Sequence, residues 1–203
     1  YESAANTETF HVVKNTIGLT LDVGGNAHVG EDKTVTVTLN VTDATGDVII
    51  SVNNANYIAH INNGVATLEL KDLENIAYNI KASYYGDDKY LANESSEASF
   101  NVLKNTVLIN VTVDTPITLG KTTTATIKMD PLINATVALT VGNSTHNKTY
   151  NVVVVDGVGK YDLFGFENEG TYDVNVTFAG DKKYLASNNA TQLVVNKVSD
   201  YDL

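Results

Sequence analysis

The sequence predicts an all-β chain built as two tandem immunoglobulin-like β-sandwich domains. Three observations predict it: segments recur at an interval of about 90 residues, apolar residues alternate with period two, and turn dipeptides fall at matching places in both copies. Thr9-Phe10-His11-Val12-Val13-Lys14-Asn15-Thr16 returns as Ser99-Phe100-Asn101-Val102-Leu103-Lys104-Asn105-Thr106. Gly86-Asp87-Asp88-Lys89-Tyr90-Leu91-Ala92 returns as Gly180-Asp181-Lys182-Lys183-Tyr184-Leu185-Ala186. No stretch carries the 3.6-residue apolar period of an amphipathic helix.

Seven strands are expected in the first copy, over 16–23, 34–41, 47–53, 57–62, 64–70, 76–85 and 97–103. The second of these alternates strictly, with Val35, Val37, Leu39 and Val41 on one face and threonines on the other. Its counterpart turns Ala125, Ile127 and Met129 inward. Valine, isoleucine and threonine suit a half-buried pleated surface. The fourth and fifth strands are joined through Asn63-Gly64, matched by Asp156-Gly157, dipeptides that favour two-residue type I′ turns. The sixth strand carries Tyr78, Ile80, Ala82 and Tyr84 on one face, and Tyr172, Val174, Val176 and Phe178 repeat the pattern. The seventh is the recurring Phe-x-Val segment itself. Short strands with turns at this spacing argue a sandwich.

The recurrence sets the expected boundaries. Residues 14–104 and 105–198 form the two domains, residues 1–13 have the character of the end of a preceding repeat, and 199–203 that of a tail or the start of a further one. The chain thus reads as a piece of a longer array. The joint near Lys104-Asn105 has neither glycine nor proline, which predicts limited bending and a stiff rod. One loop differs in length: Val52 matches Val141 and Tyr57 matches Tyr150, so the second copy is longer around 142–148.

Composition narrows function. The net charge of −11 repels phosphate backbones and anionic lipid, so neither nucleic acid nor a membrane surface is an expected partner. No apolar run is long enough to span a bilayer, so no direct membrane insertion is expected. The chain has no cysteine, which excludes disulfides and thiolate metal sites.

The succession of an aromatic strand, Gly-Asp-x-Lys-Tyr-Leu-Ala, a final strand and Lys-Asn-Thr resembles the bacterial-type Ig-like tandem repeats of large surface adhesins. In particular it is similar to the adhesin-like proteins of methanogenic archaea. The resemblance covers both copies. It implies an extracellular, cell-surface stalk or adhesive module, with further repeats of the same chain and a host or neighbouring-cell surface protein or carbohydrate as partners. The alternative, of a different class, is a specific carbohydrate- or protein-binding module using the loops of the second domain.

No catalytic residue, cofactor or metal site is expected. The histidines His11, His28, His60 and His146 show no metal-ligand spacing and do not recur between copies. Serines lack a nucleophile-elbow context. Asp87, Asp88 and Asp181 could offer oxygens to calcium, but Lys182 stands where the first copy has Asp88, and turn capping accounts better for these aspartates. Tyr90 and Tyr184 are expected to pack over the sandwich end and tie down their turns. A covalent Lys104–Asn196 link is disfavoured, because alternation points Asn196 to water and a solvated lysine stays protonated. Asn-x-Ser/Thr sequons stand at Asn40, Asn93, Asn110, Asn134, Asn143, Asn147, Asn175 and Asn189, consistent with a glycosylated exterior.

Overall fold

The computed structural model describes residues 7–144 and 147–198. His146 and the expected tail at 199–203 lie outside the described residues, as do the first six residues of the 1–13 segment. The described residues form seventeen β-strands and no helix. The chain divides into two compact units, Tyr1–Leu103 and Lys104–Leu203, each with its own apolar core.

In the first unit, β1 (Leu19–Asp22), β3 (Lys33–Leu39) and β6 (Val65–Leu70) make one antiparallel sheet in the order β1-β3-β6. The second sheet runs β2-β9-β7-β4-β5, from β2 (Ala27–His28), β9 (Ala98–Leu103), β7 (Ala77–Tyr84), β4 (Asp47–Val52) and β5 (Ala55–His60). The two-residue β8 (Asn93–Glu94) pairs with β7 beside β9. Period-two alternation decides what faces inward. Val35, Val37 and Leu39 from one sheet meet Val48, Ile50, Ile80, Ala82 and Tyr84 from the other, all nearly inaccessible to water. Burying such side chains contributes about 1.5–3 kcal/mol each before chain entropy is set against it.

The second unit repeats this plan. One sheet is β10 (Leu108–Thr112), β12 (Thr123–Asp130) and β15 (Val158–Leu163). The other runs β11-β17-β16-β13-β14, from β11 (Ile117–Thr118), β17 (Ser187–Asn196), β16 (Gly170–Phe178), β13 (Ala135–Gly142) and β14 (Asn147–Val154). Ala125, Ile127 and Met129 are buried, as their alternation predicts. Among the described residues no helix is long and apolar enough to cross a membrane.

The strand limits differ from the sequence reading in three informative places. β5 starts at Ala55 instead of 57, because Asn53 (φ 46°) and Asn54 (φ 70°) form a two-residue turn directly after β4. Asparagine tolerates that left-handed backbone better than most residues. Near 61, Ile61 still donates to the Gly46 carbonyl at 3.1 Å as the next rung of the β4–β5 ladder. Beyond it the chain crosses over, so that β5 and β6 on either side of the Asn63-Gly64 turn lie in opposite sheets. Lastly, β2 and β8 fall outside the seven expected strands, being too short to display any period.

Residues 7–13 contribute to neither core. Phe10, Val12 and Val13 are each more than 80% exposed, and no strand forms there.

Candidate functional site

Two arrangements stand out, one common to both copies and one confined to the second. The common one joins the two recurring motifs to each other. Asn15 donates from its backbone to the Lys89 carbonyl at 2.8 Å, and Leu91 donates back to the Asn15 carbonyl at 2.9 Å. Asn105 does the same with Lys183 (2.9 Å) and Leu185 (2.8 Å). The lysine before each asparagine reaches the turn as well, Lys14 to the Asp87 carbonyl and Lys104 to the Asp181 carbonyl, both at 2.5 Å. The Lys-Asn that opens each copy is therefore held by the Gly-Asp-x-Lys-Tyr turn near its end.

The aspartates are occupied in that turn. Asp181 Oδ1 accepts from the Lys183 and Tyr184 backbone N–H groups, each at 2.7 Å. Asp87 Oδ1 accepts from Lys89 and Tyr90, each at 2.8 Å, and its Oδ2 accepts from the Thr45 backbone (2.9 Å) and hydroxyl (3.2 Å). The Thr45 N–H, followed by those of Lys89 and Tyr90, holds the Asp87 carboxyl well below the usual range. Burial, with Asp87 nearby, pushes the Tyr84 phenol up to about 12. Tyr90 donates from its hydroxyl to Asp43 at 2.6 Å and packs on the core's edge. This ties its turn to the β3–β4 loop. Tyr184 packs likewise on the second core. The second copy has Phe178 in place of Tyr84 and so lacks that hydroxyl.

The second arrangement is an aromatic cleft at one end of the second domain, enclosing about 100 Å³. Its floor is Leu163, Val141 and the buried ring of Tyr172. Tyr150 on β14 stacks on Tyr161 of β15 with ring centroids 4.5 Å apart. Tyr172 meets Phe166 edge-on at 5.0 Å, and its hydroxyl donates to the Asn168 carbonyl at 2.8 Å, shaping the β15–β16 loop. Gly165, at φ 74°, turns that loop between Phe164 and Phe166. Phe164 remains 65% exposed at the rim, beside Asn143, Lys148 and Glu167.

The first copy closes the same end differently. Its loop turns at Asp72 (φ 53°), with Leu73 buried in the core. Lys71 occupies the place of Phe164 and pairs with Glu69 (3.3 Å) and Asp32 (3.9 Å). Tyr78, the counterpart of Tyr172, stacks instead on Phe100 at 5.3 Å, where the second copy has Leu193. Losing one ring on the last strand accompanies gaining another in the loop. Sequence reasoning placed the variable site on the 142–148 loop and missed this neighbouring one. The signal was Phe164-Gly165-Phe166, two of the chain's five phenylalanines standing where the first copy reads Lys71-Asp72-Leu73.

The other expected positions fall as follows. Asn40, Asn93, Asn110, Asn134, Asn147 and Asn175 are exposed, whereas Asn143 and Asn189 are half-buried. Asn40 accepts from the Gly18 N–H, Asn93 donates to the Ile17 carbonyl, and Asn134 accepts from the Asp156 N–H. Asn196 is exposed, and the Lys104 ammonium is bonded to the Asp181 carbonyl. Among the described residues no three His, Asp or Glu side chains converge to hold a metal.

Residues 8–103 match the family profile described as Bacterial Ig-like domain (group 3). Among solved structures, the chain is similar to a tetra-tandem repeat in the extending region of a large adhesion protein, at 17% identity and a TM-score of 0.45. That match covers 88% of this chain and 49% of the other. It is also similar to dimeric latent PorU from Porphyromonas gingivalis, at 13% identity and a TM-score of 0.37, over 89% of this chain and 20% of that one. The chain thus spans about half of one of these proteins and a fifth of the other. No curated protein matches it.

Proposed function

We propose that the chain is a non-catalytic, tension-bearing repeat module of an extracellular, cell-surface protein of the archaeal adhesin-like kind. It holds a distal adhesive part away from the envelope, in series with further copies of the repeat. One observation carries this reading. In each copy the short second strand, β2 or β11, pairs in parallel with the last strand, β9 or β17. Ala27 faces Val102 and His28 faces Leu103, and Val29 donates to the Leu103 carbonyl at 2.9 Å. In the second copy Ile117 faces Val195, Thr118 faces Asn196, and Leu119 donates to the Asn196 carbonyl at 2.9 Å. The Asn15 and Asn105 bridges to Tyr90 and Tyr184 are parallel too.

Pulling on the chain ends draws two parallel neighbours in opposite directions along a common axis. The bridging hydrogen bonds are then sheared together and not peeled one by one, which raises the barrier that governs forced unfolding. The bacterial Ig-like match over 8–103 agrees with such a role. In this reading the outward-facing Asn110 and Asn175 are the sequons best placed to carry glycans.

Single-molecule stretching tests it. Pulled from residues 14 and 198, the chain should give two separate unfolding events, each releasing on the order of 300 Å of polypeptide. Val29→Pro, which deletes one shear-loaded donor, should weaken one event and leave the other unchanged. Handles placed instead on the β4–β5 turn and on β9 should give lower forces from the same fold. Equal forces in both geometries would refute the tension-bearing role.

A further inference from the structure

We infer that the aromatic cleft of the second domain is a binding site for a neutral pyranose sugar, with Phe164 as its stacking platform. This goes beyond the tension-bearing role, which both copies share and which requires no such cleft. The first copy shows that the fold does not require it either. There the same loop is closed by buried Leu73 and a surface lysine with two carboxylate partners. The second copy instead leaves a phenylalanine ring 65% exposed, and an exposed large aromatic beside a concave apolar floor marks a place for a ligand.

The chemistry around the ring selects the ligand. A pyranose presents an apolar C–H face and a circumference of hydroxyls. Phe164, with Phe166 and Tyr150 behind it, offers the apolar face, and the rim offers both donors and acceptors through Asn143, Lys148 and Glu167. Among the described lining residues Lys148 and Glu167 carry opposite charges, so the cleft favours no net charge. The chain as a whole carries −11, which works against an anionic sugar or phosphate. A cationic side chain would be drawn by Glu167 but repelled by Lys148. A neutral ring with hydroxyls can donate to Glu167, accept from Lys148 and lay its apolar face on Phe164. The volume of about 100 Å³ admits part of one ring with the remainder resting on Phe164, which fits a terminal sugar residue.

The test is a two-dimensional NMR titration of the intact chain with maltose, cellobiose, lactose and chitobiose in turn. At least one should move resonances of residues 141–172 and leave the first domain's unchanged, with a dissociation constant on the order of millimolar. Phe164→Ala should weaken that binding roughly tenfold. Because Phe164 is exposed, the variant keeps the wild-type spectrum elsewhere, which confirms folding in the same experiment. Glucuronic acid should bind more weakly than glucose. Absence of shifts with all four sugars, or shifts that Phe164→Ala leaves unaltered, would overturn the assignment. So would shifts produced by acetyl-leucine amide or acetyl-lysine amide in place of sugar, which would make the cleft a peptide site. None of these outcomes touches the stretching result, so the two proposals fail separately.

Discussion

Asp87 links two segments of the first domain through one carboxylate. Its oxygens cap the turn at Lys89 and Tyr90 and fasten the Thr45 backbone, 42 residues earlier. Those bonds favour the charged form, so the folded-state value lies below the ordinary 3.8. A depressed carboxylate contributes stability that is present above its unfolded value and is lost as pH falls towards the folded one. Acidification from about pH 5 to pH 2 should therefore destabilise the first domain. Asp87→Asn should lower stability at neutral pH and flatten this acid dependence, as denaturant melts followed by NMR at several pH values would reveal. An unchanged acid slope in the variant would reject the assignment. The turn itself was legible in the sequence, because Gly-Asp-x-Lys-Tyr occurs twice. Its partners Thr45 and Asp43 were not. They lie far away in the chain, nothing in the local pattern marks them, and the second copy builds that end without them.

At the scale of elements, the inward faces of the long strands followed from alternation alone, since a slip of one residue would turn every valine outward. The Asn63-Gly64 and Asp156-Gly157 turns were equally readable. Both residues of each pair have φ between 48° and 78°, the left-handed pair that a type I′ turn demands. Here glycine is also needed for space. A Cβ on Gly64 would fall onto the Val41 carbonyl oxygen, and one on Gly157 would lie 2.8 Å from the Met129 carbonyl oxygen. Gly64→Ala should thus cost about 1–3 kcal/mol in the first domain, more than a φ penalty alone, measurable by urea denaturation. An effect below a few tenths of a kcal/mol would mean that the β3–β4 loop yields freely. Two-residue strands such as β2 and β11 escaped the sequence reading, because a period needs more than one repeat to be seen. The cleft was half legible. The length difference drew attention to 142–148, while the ring that matters came from the loop after β15.

For the whole chain, the interval of about 90 residues announced two domains, and two core clusters are what the structure contains. Each cluster draws only on its own copy. Ile80→Ala, at a fully buried site, should destabilise the first domain by about 2–5 kcal/mol and leave the second domain's melting midpoint in place. Parallel shifts of both midpoints would show energetic coupling between the copies. The pairing of the short second strand with the last strand reaches further, into how such a chain is made. On a ribosome, β2 emerges several seconds before β9, and meanwhile its backbone groups have no native partner. When the next copy follows, its closing strand β17 offers a similar surface: Val102 and Val195 occupy equivalent positions opposite Ala27 and Ile117. A long array of such repeats therefore risks joining the head of one copy to the tail of another. The differences between copies work against that error. Phe100 belongs with Tyr78, Leu193 with a neighbour that leans on Phe166, and a mismatched pair would leave one ring without its stack and another crowded. Divergence between neighbouring repeats thus acts as an address label, steering each chain segment to the copy in which it was synthesised.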